Sequence, residues 1–236
     1  MDIYSDRIEF DGIELMSDPL NKRVNHNRNV MGIFYEEQPV TWLKNKQTIR
    51  NVYDTVSGKV DFFDVGSGSG FFSILAKKHF GGKVLAIDIN ERAVKFTREN
   101  AKLNDVNFEV RLERYCRDSA PERGVKVIFL NPPFHIYPQS IEEKLPLFSS
   151  GGPYGQRAFK EQLSIANSHV CEGGMIVFVM ECPGRDNKPE FVRYIHDYLD
   201  YDFSLFFSNI FTPTKIIEYL EKIYGQRYNN FVNSMA

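Results

Sequence analysis

The sequence predicts an α/β domain built on a doubly wound, mostly parallel sheet with helices on both faces. Two observations carry this expectation. Short apolar runs recur at residues 60–65, 83–88, 125–130 and 175–181, with helix-periodic segments between them. These runs lack the strict apolar–polar alternation of a half-exposed strand, and strands covered by helices on both faces have that composition.

Residues 1–58 read differently. They are polar and irregular, most of all at residues 21–29, and are expected to form a cap or lid within the same domain as residues 59–236. The first core strand is Val60–Val65, followed by a tight turn from Gly66 to Gly70 and a helix over 71–80 that Gly81-Gly82 stops. Residues 83–88 make the second strand. Asn90 is a good N-cap for a helix to Leu103, with Glu91 in its first turn and Ala93, Val94, Thr97 and Ala101 on one face. Residues 108–112 form the third strand and 125–130 the fourth. A helix over 156–171 buries Phe159, Leu163, Ala166 and Val170 and ends at Gly173-Gly174, where the fifth strand, 175–181, begins. Beyond it come a helix with Phe191, Val192, Ile195 and Leu199, a strand near 203–207, an added helix over 213–224 opened by Pro213, and an edge strand at 228–232.

Composition narrows the class of protein. A chain of 236 residues, 42% of them hydrophobic, can bury a substantial core. No stretch approaches the roughly 20 apolar residues that span a bilayer, and the start lacks the basic-then-apolar order of a secretory signal, so a cytoplasmic protein without a membrane partner is expected. The three cysteines, Cys116, Cys171 and Cys182, are far apart and make no paired-ligand motif. His26, His79, His135, His169 and His196 have no metal-ligand spacing, so no metal is expected. A net charge of -2 gives no global electrostatic case for nucleic acid.

Three motifs carry chemistry. In Asp64-Val65-Gly66-Ser67-Gly68-Ser69-Gly70, glycines at alternate positions let the backbone pass beneath a ligand, and the helix start offers free N–H groups. Asp88, ending the second strand, can accept both hydroxyls of a ribose held over that turn. The pair alone also fits a dinucleotide-binding fold, and the turn alone fits a plain strand-to-helix connection. Asn131-Pro132-Pro133-Phe134 decides between them. Two prolines cannot donate to a sheet ladder, so they end the fourth strand and push Asn131 and Phe134 past its carboxyl edge. An Asn amide, a free Pro carbonyl and an aromatic face suit a flat acceptor bearing an NH2 group. A nicotinamide oxidoreductase has no use for that motif.

In this order and spacing the three motifs resemble the S-adenosylmethionine-dependent methyltransferases of the seven-stranded Rossmann-like class, over residues 31–182. The resemblance implies that S-adenosylmethionine lies against Asp64, Gly66, Ser67, Gly68, Gly70, Asp88, Ile89, Glu113, Arg114 and Asn131. It makes Asn131, Pro132 and Phe134 catalytic and adds Pro133 and His135 to the acceptor's contacts. The Asn-Pro-Pro-Phe motif is similar to that of the branch that methylates planar nitrogens: HemK-type glutamine methyltransferases of peptide release factors, adenine-amine methyltransferases and ribosomal guanine-amine enzymes. Phe34-Tyr35-Glu36 with Thr41 and Leu43, and the loop Ser150-Gly151-Gly152-Pro153-Tyr154-Gly155, resemble the short HemK type. Phe134-His135 resembles the ribosomal RNA enzymes instead.

The chain departs from the family at three places. Val125-Lys126 and Tyr154 stand where acids are usual, and Glu113-Arg114-Tyr115 stand where an Asp commonly meets the adenine. The expected acceptor is a protein glutamine in an exposed loop. The alternative acceptor is an adenine or guanine amine of RNA or DNA, and the alternative from another class is a nucleoside-binding module without catalysis.

Overall fold

The computed structural model describes residues 6–18, 29–30, 32–33, 37–116, 121, 124–135, 150–152, 155–180, 184–185 and 188–198. Five parallel strands form the main sheet. They are β3 (Val60–Val65), β4 (Val84–Asp88), β5 (Glu109–Leu112), β6 (Val125–Leu130) and β7 (Val170–Phe178), in the spatial order β5-β4-β3-β6-β7. The order reverses at β3, so the crevice beyond its carboxyl end is a topological switch point, where open α/β sheets bind ligands.

The two faces of the sheet carry separate apolar layers. On one, Phe62, Val127 and Phe129 pack with Trp42, Ile49, Phe72 and Leu75 of helices α1 (Gln38–Thr55) and α2 (Phe71–Phe80). Phe72 stacks on Phe129 with ring centroids 4.9 Å apart. Both are buried, and truncating a ring such as Phe129 to Ala costs about 3–5 kcal/mol. On the other face, Phe63, Ile87, Ile128 and Leu130 meet Phe159 and Leu163 of helix α4 (Arg157–His169) and Phe191 of helix α5 (Glu190–Tyr198). Helix α3 (Glu91–Leu103) is N-capped by Asn90, whose Oδ1 accepts the Arg92 N–H at 3.1 Å. The sheet is therefore parallel and doubly wound, as its unbroken apolar strands predict.

Two stretches differ from expectation. The polar segment before residue 59 contains an antiparallel hairpin, β1 (Asp6–Phe10) and β2 (Ile13–Ser17), and the 18-residue α1. The hairpin turns through Asp11 and Gly12, both at positive φ (46° and 81°), the backbone that a two-residue Asp-Gly turn supplies. Asp11 also anchors it: its Oδ2 accepts the Trp42 indole N–H at 2.7 Å and the Lys46 ammonium at 2.7 Å. Among the described residues no strand pairs with the outer edge of β2. Asn100 of α3 and Asn104 at its C-cap take that place: Asn100 accepts the Met16 N–H at 2.9 Å and donates to Met16 O at 2.8 Å, while Asn104 accepts the Glu14 N–H at 2.8 Å and donates to Glu14 O at 2.6 Å.

The second difference lies at the α4–β7 junction. The expected helix over 156–171 stops at His169, and the strand expected from Met175 begins at Val170. Gly173-Gly174 does not stop a helix. Pairing jumps from Val125↔Val170 to Val127↔Met175, and Gly173 takes φ +73° inside that irregularity. Residues 184–185 and 188–189 form a short hairpin, β8 and β9, before α5. The strands expected at 203–207 and 228–232 and the helix at 213–224 lie outside the described residues.

Candidate functional site

The carboxyl ends of β3, β4, β5 and β6 open onto a cavity of about 380 Å³. Its floor is the glycine turn. Gly66 and Ser67 donate their N–H groups to Ile87 O at 2.9 and 3.0 Å, which fixes the end of β3 to the end of β4. From α3, Thr97 donates to Gly68 O at 3.1 Å and Asn100 to Ser69 O at 2.8 Å. The turn is held from below, so its upper side stays clear. A Cβ on Gly66 (φ +75°) meets nothing within 4 Å, and one on Gly68 (φ +57°) would have Gly66 O as its nearest neighbour at 4.0 Å. Both residues line the cavity, so a side chain at either would take space from it. Gly70 is not on the cavity wall. It starts α2 at φ +85°, and a Cβ there would meet Thr97 Cγ2 at 3.0 Å.

Two buried carboxylates flank the turn. Asp64 reaches under the start of α2, where its Oδ2 accepts the Ser73 hydroxyl at 2.5 Å and the Ser73 N–H at 3.1 Å. Burial pushes its pKa up to about 6 against those hydrogen bonds. Asp88, 9% exposed against 2% for Asp64, is likewise shifted upward by burial, while N–H groups of Asn90 and Gly68 pull it back, at 2.8 Å to Oδ1 and 2.9 Å to Oδ2. The Ile89 N–H also bonds this carboxylate, whose remaining lone-pair capacity is open to a hydroxyl. Next to it Ile89 is 57% exposed and lines the same cavity, an apolar surface of the kind on which a flat ring rests.

At the end of β6 the chain leaves the ladder where the prolines begin, with Val179 still donating to Leu130 O at 3.1 Å. Asn131, Pro132, Pro133, Phe134 and His135 all line the cavity. Asn131 Oδ1 is buried and has no hydrogen-bond donor among the described residues. Phe134 is placed differently from a free stacking platform: it is 3% exposed, belongs to the Phe72–Phe129 core layer, and stacks on the His135 ring at 4.9 Å. The glycine loop beside it is tied to the motif by the Gly151 N–H, which donates to His135 O at 2.9 Å. Gly151 is required there, because a Cβ would meet Gly155 O at 2.6 Å.

Of the residues expected at the site, Asp64, Gly66, Ser67, Gly68, Asp88, Ile89, Glu113, Arg114 and Asn131 to His135 come together on one wall system. Arg114 lies 3.7 Å from Glu161 across an exposed gap, a weak pair. Phe34, Tyr35, Glu36, Tyr154 and residues 19–28 lie outside the described residues. Sequence reasoning did not find Asn29, Val30, Gln38 or Gln162 on the wall. The Asp11-Gly12 turn between Ile8, Phe10 and Ile13, Leu15 was a legible hairpin signal that would have drawn attention to this N-terminal region. Among the described residues no three His, Cys, Asp or Glu side chains group as metal ligands, and no helix is long and apolar enough to cross a membrane.

Residues 48–145 match the family model of the methyltransferase small domain. Over 52 residues the chain is 52% identical to the ribosomal protein L11 methyltransferase of Caldicellulosiruptor bescii, a match covering 22% of this chain and 17% of that one. A Methanocaldococcus jannaschii protein, named as a proposed protein N5-glutamine methyltransferase, is 29% identical over 144 residues, 59% of this chain and 67% of that one. The aligned part thus spans about a sixth of the L11 relative. A crystal structure of an S-adenosylmethionine-dependent methyltransferase from Agrobacterium tumefaciens superposes with a TM-score of 0.52 at 16% identity, covering 77% of this chain and 54% of that one. The chain therefore has the Rossmann-like fold of S-adenosylmethionine-dependent methyltransferases and, over residues 48–145, the pattern of the methyltransferase small domain.

Proposed function

We propose that this chain is an S-adenosylmethionine-dependent N-methyltransferase of the HemK-like kind, acting in the cytoplasm on the planar NH2 group of a protein glutamine. The orphaned Asn131 Oδ1 carries this reading. A buried acceptor left without a donor costs about 1–3 kcal/mol, and a site retains one where an incoming N–H completes it.

The residues present fit the cofactor. Gly66 and Gly68 leave open space where a Cβ would stand, and Asp88 has remaining lone pairs for ribose hydroxyls. Asp64, Gly66, Ser67, Gly68, Ile89, Glu113 and Arg114 complete the wall that would hold it. When bound, S-adenosylmethionine supplies a methyl group activated by an adjacent sulfonium. An amide or aryl amine nitrogen is a poor nucleophile, because its lone pair is delocalised. Asn131 Oδ1 and a proline carbonyl accepting both N–H groups would draw electron density onto that nitrogen and orient it. Phe134, with His135 stacked on it, would fix the acceptor's plane through the edge it leaves at the cavity. The proton becomes acidic as nitrogen gains its fourth bond, so no strong base is needed beforehand. The segment before residue 59 acts as a cap, with Asn29, Val30 and Gln38 on the cavity wall.

A protein acceptor is favoured because two relatives with different names, the L11 enzyme and the glutamine enzyme, are both named for protein acceptors. The free thiols Cys116 and Cys171 fit a reducing compartment. A base amine of RNA is the second reading, favoured by the Phe134-His135 pair and the partly basic residues 22–28. Labelled methyl transfer into fractionated extract separates them. Label lost on protease treatment and only weakly salt-dependent supports glutamine. Label lost with nuclease, formed with a steep fall between low and physiological salt, supports RNA and overturns the first reading.

A further inference from the structure

We infer that Asp18 is a positioning residue for the cofactor cavity, although it does not line it. The inference rests on the reading of that cavity as a nucleoside seat. Asp18 follows β2, is 2% exposed, and is held by three donors from two places. Arg92 in the first turn of α3 grips it with two guanidinium bonds, Nε to Oδ2 at 2.8 Å and Nη2 to Oδ1. The Val30 N–H donates to the same Oδ2 at 2.9 Å. Val30, twelve residues along the chain, is thereby tied back to the Asp18 carboxylate.

What this carboxylate fixes is part of the wall. Asn29 and Val30 line the cavity from one side, and Asn90 and Ala93 of the α3 start line it beside them. Val30 is packed in a small apolar cluster with Met16, Ala93 and Phe96, and the Arg92 guanidinium lies 5.1 Å over the Phe96 ring. The apolar contacts of Val30 with Met16, Ala93 and Phe96 carry no direction. The Val30 N–H bond to Asp18 supplies one, because the carboxylate is itself oriented by a planar two-point contact with Arg92. A purely structural tie would hold β2 to α3 and stop there. Here the same oxygen that receives Arg92 also receives the cavity-lining segment, so the position of the wall follows from the ion pair.

The test compares Asp18→Ala and Asp18→Asn with Arg7→Ala, which removes the exposed Arg7–Glu14 pair of the same hairpin. S-adenosylhomocysteine affinity is read by calorimetry, steady-state kinetics by methyl transfer, and amide exchange by mass spectrometry of the peptide covering residues 29–33. Asp18→Ala should weaken S-adenosylhomocysteine about tenfold, and Asp18→Asn, which keeps an acceptor for Val30, only two- to threefold. KM for S-adenosylmethionine should rise by similar factors while kcat at saturation stays within about twofold, and the 29–33 peptide should exchange faster in both variants. An unchanged dissociation constant in folded Asp18→Ala, or an equal loss in Arg7→Ala, overturns the assignment. If Asp18→Ala does not fold, the Asn variant decides by the same two readouts. If the unaltered protein binds no S-adenosylhomocysteine, the reading of the cavity fails, and the exchange of the 29–33 peptide alone supports or overturns the Asp18 clamp.

Discussion

The Gly68 N–H donates to Asp88 Oδ2 across 2.9 Å, so the middle glycine of the turn and the acid ending β4 form one hydrogen-bonded unit. Substituting Asp88 by Ala removes the acceptor of this N–H and of the Asn90 N–H, together with the expected ribose contacts. Asp88→Ala should weaken S-adenosylhomocysteine by on the order of 1–3 kcal/mol in calorimetry. A protein that binds NADH and not S-adenosylhomocysteine would end the proposed function.

Asn131 separates binding from chemistry. Its Oδ1, without a donor among the described residues, lies just past the end of β6, on the strand next to the one that leads into the glycine turn. Asn131→Ala should lose roughly a hundredfold in turnover and keep most of the affinity for S-adenosylhomocysteine. Equal turnover in single-cycle kinetics removes Asn131 from the reaction.

The glycines of one turn should respond oppositely to the same change. Gly70→Ala forces φ +85° on a side chain and drives a Cβ to 3.0 Å from Thr97 Cγ2, so it should destabilise the fold by about 1–3 kcal/mol in denaturant unfolding. Gly66→Ala carries the strain of φ +75° without a clash, and its added methyl stands beside the cavity. Its ligand affinity should fall by more than its stability. The reverse pattern would mean that the ligand does not approach Gly66.

Asp64 makes a pH prediction with a definite sign. Its folded pKa is raised from the ordinary 3.8 to about 6, so its stabilising contribution is complete below pH 3.8 and is lost as pH rises toward 6. At about 1.4 kcal/mol per pH unit, that window amounts to at most about 3 kcal/mol. Unfolding free energies at pH 4, 5, 6 and 7 should therefore fall less steeply for Asp64→Asn than for the unaltered protein. Parallel profiles would show that Asp64 titrates normally.

The elements that could be read from the sequence are those with their own punctuation. Val60–Val65, Phe71–Phe80 and Val125–Leu130 agree residue for residue with expectation, because Gly66, Gly81-Gly82 and Pro132-Pro133 bound them. At Gly173-Gly174 the same residue type misled. Glycine ends helices and also makes room for strand irregularities, and only the pairing with β6 distinguishes the two. The hairpin itself is signalled by Asp11-Gly12, but the pairing of its outer edge is not: the partners are Asn100 and Asn104, 84 and 90 residues away at the end of α3, and no local pattern records such a pairing. Within the site, the motif residues were legible because each ends a core strand. Phe134 was legible as a member but not in posture, since its burial depends on Phe72 and Phe129 from two other elements.

Asn100 has one acceptor oxygen and two amide hydrogens, and all three are occupied: two on Met16 and one on Ser69 O of the glycine turn. The residue is fully buried. A shortened chain beginning at residue 37 would keep every strand of the main sheet yet leave this amide two partners short directly beneath the turn. The family pattern begins at residue 48, yet the amide that supports the glycine turn is completed by β2, some thirty residues earlier.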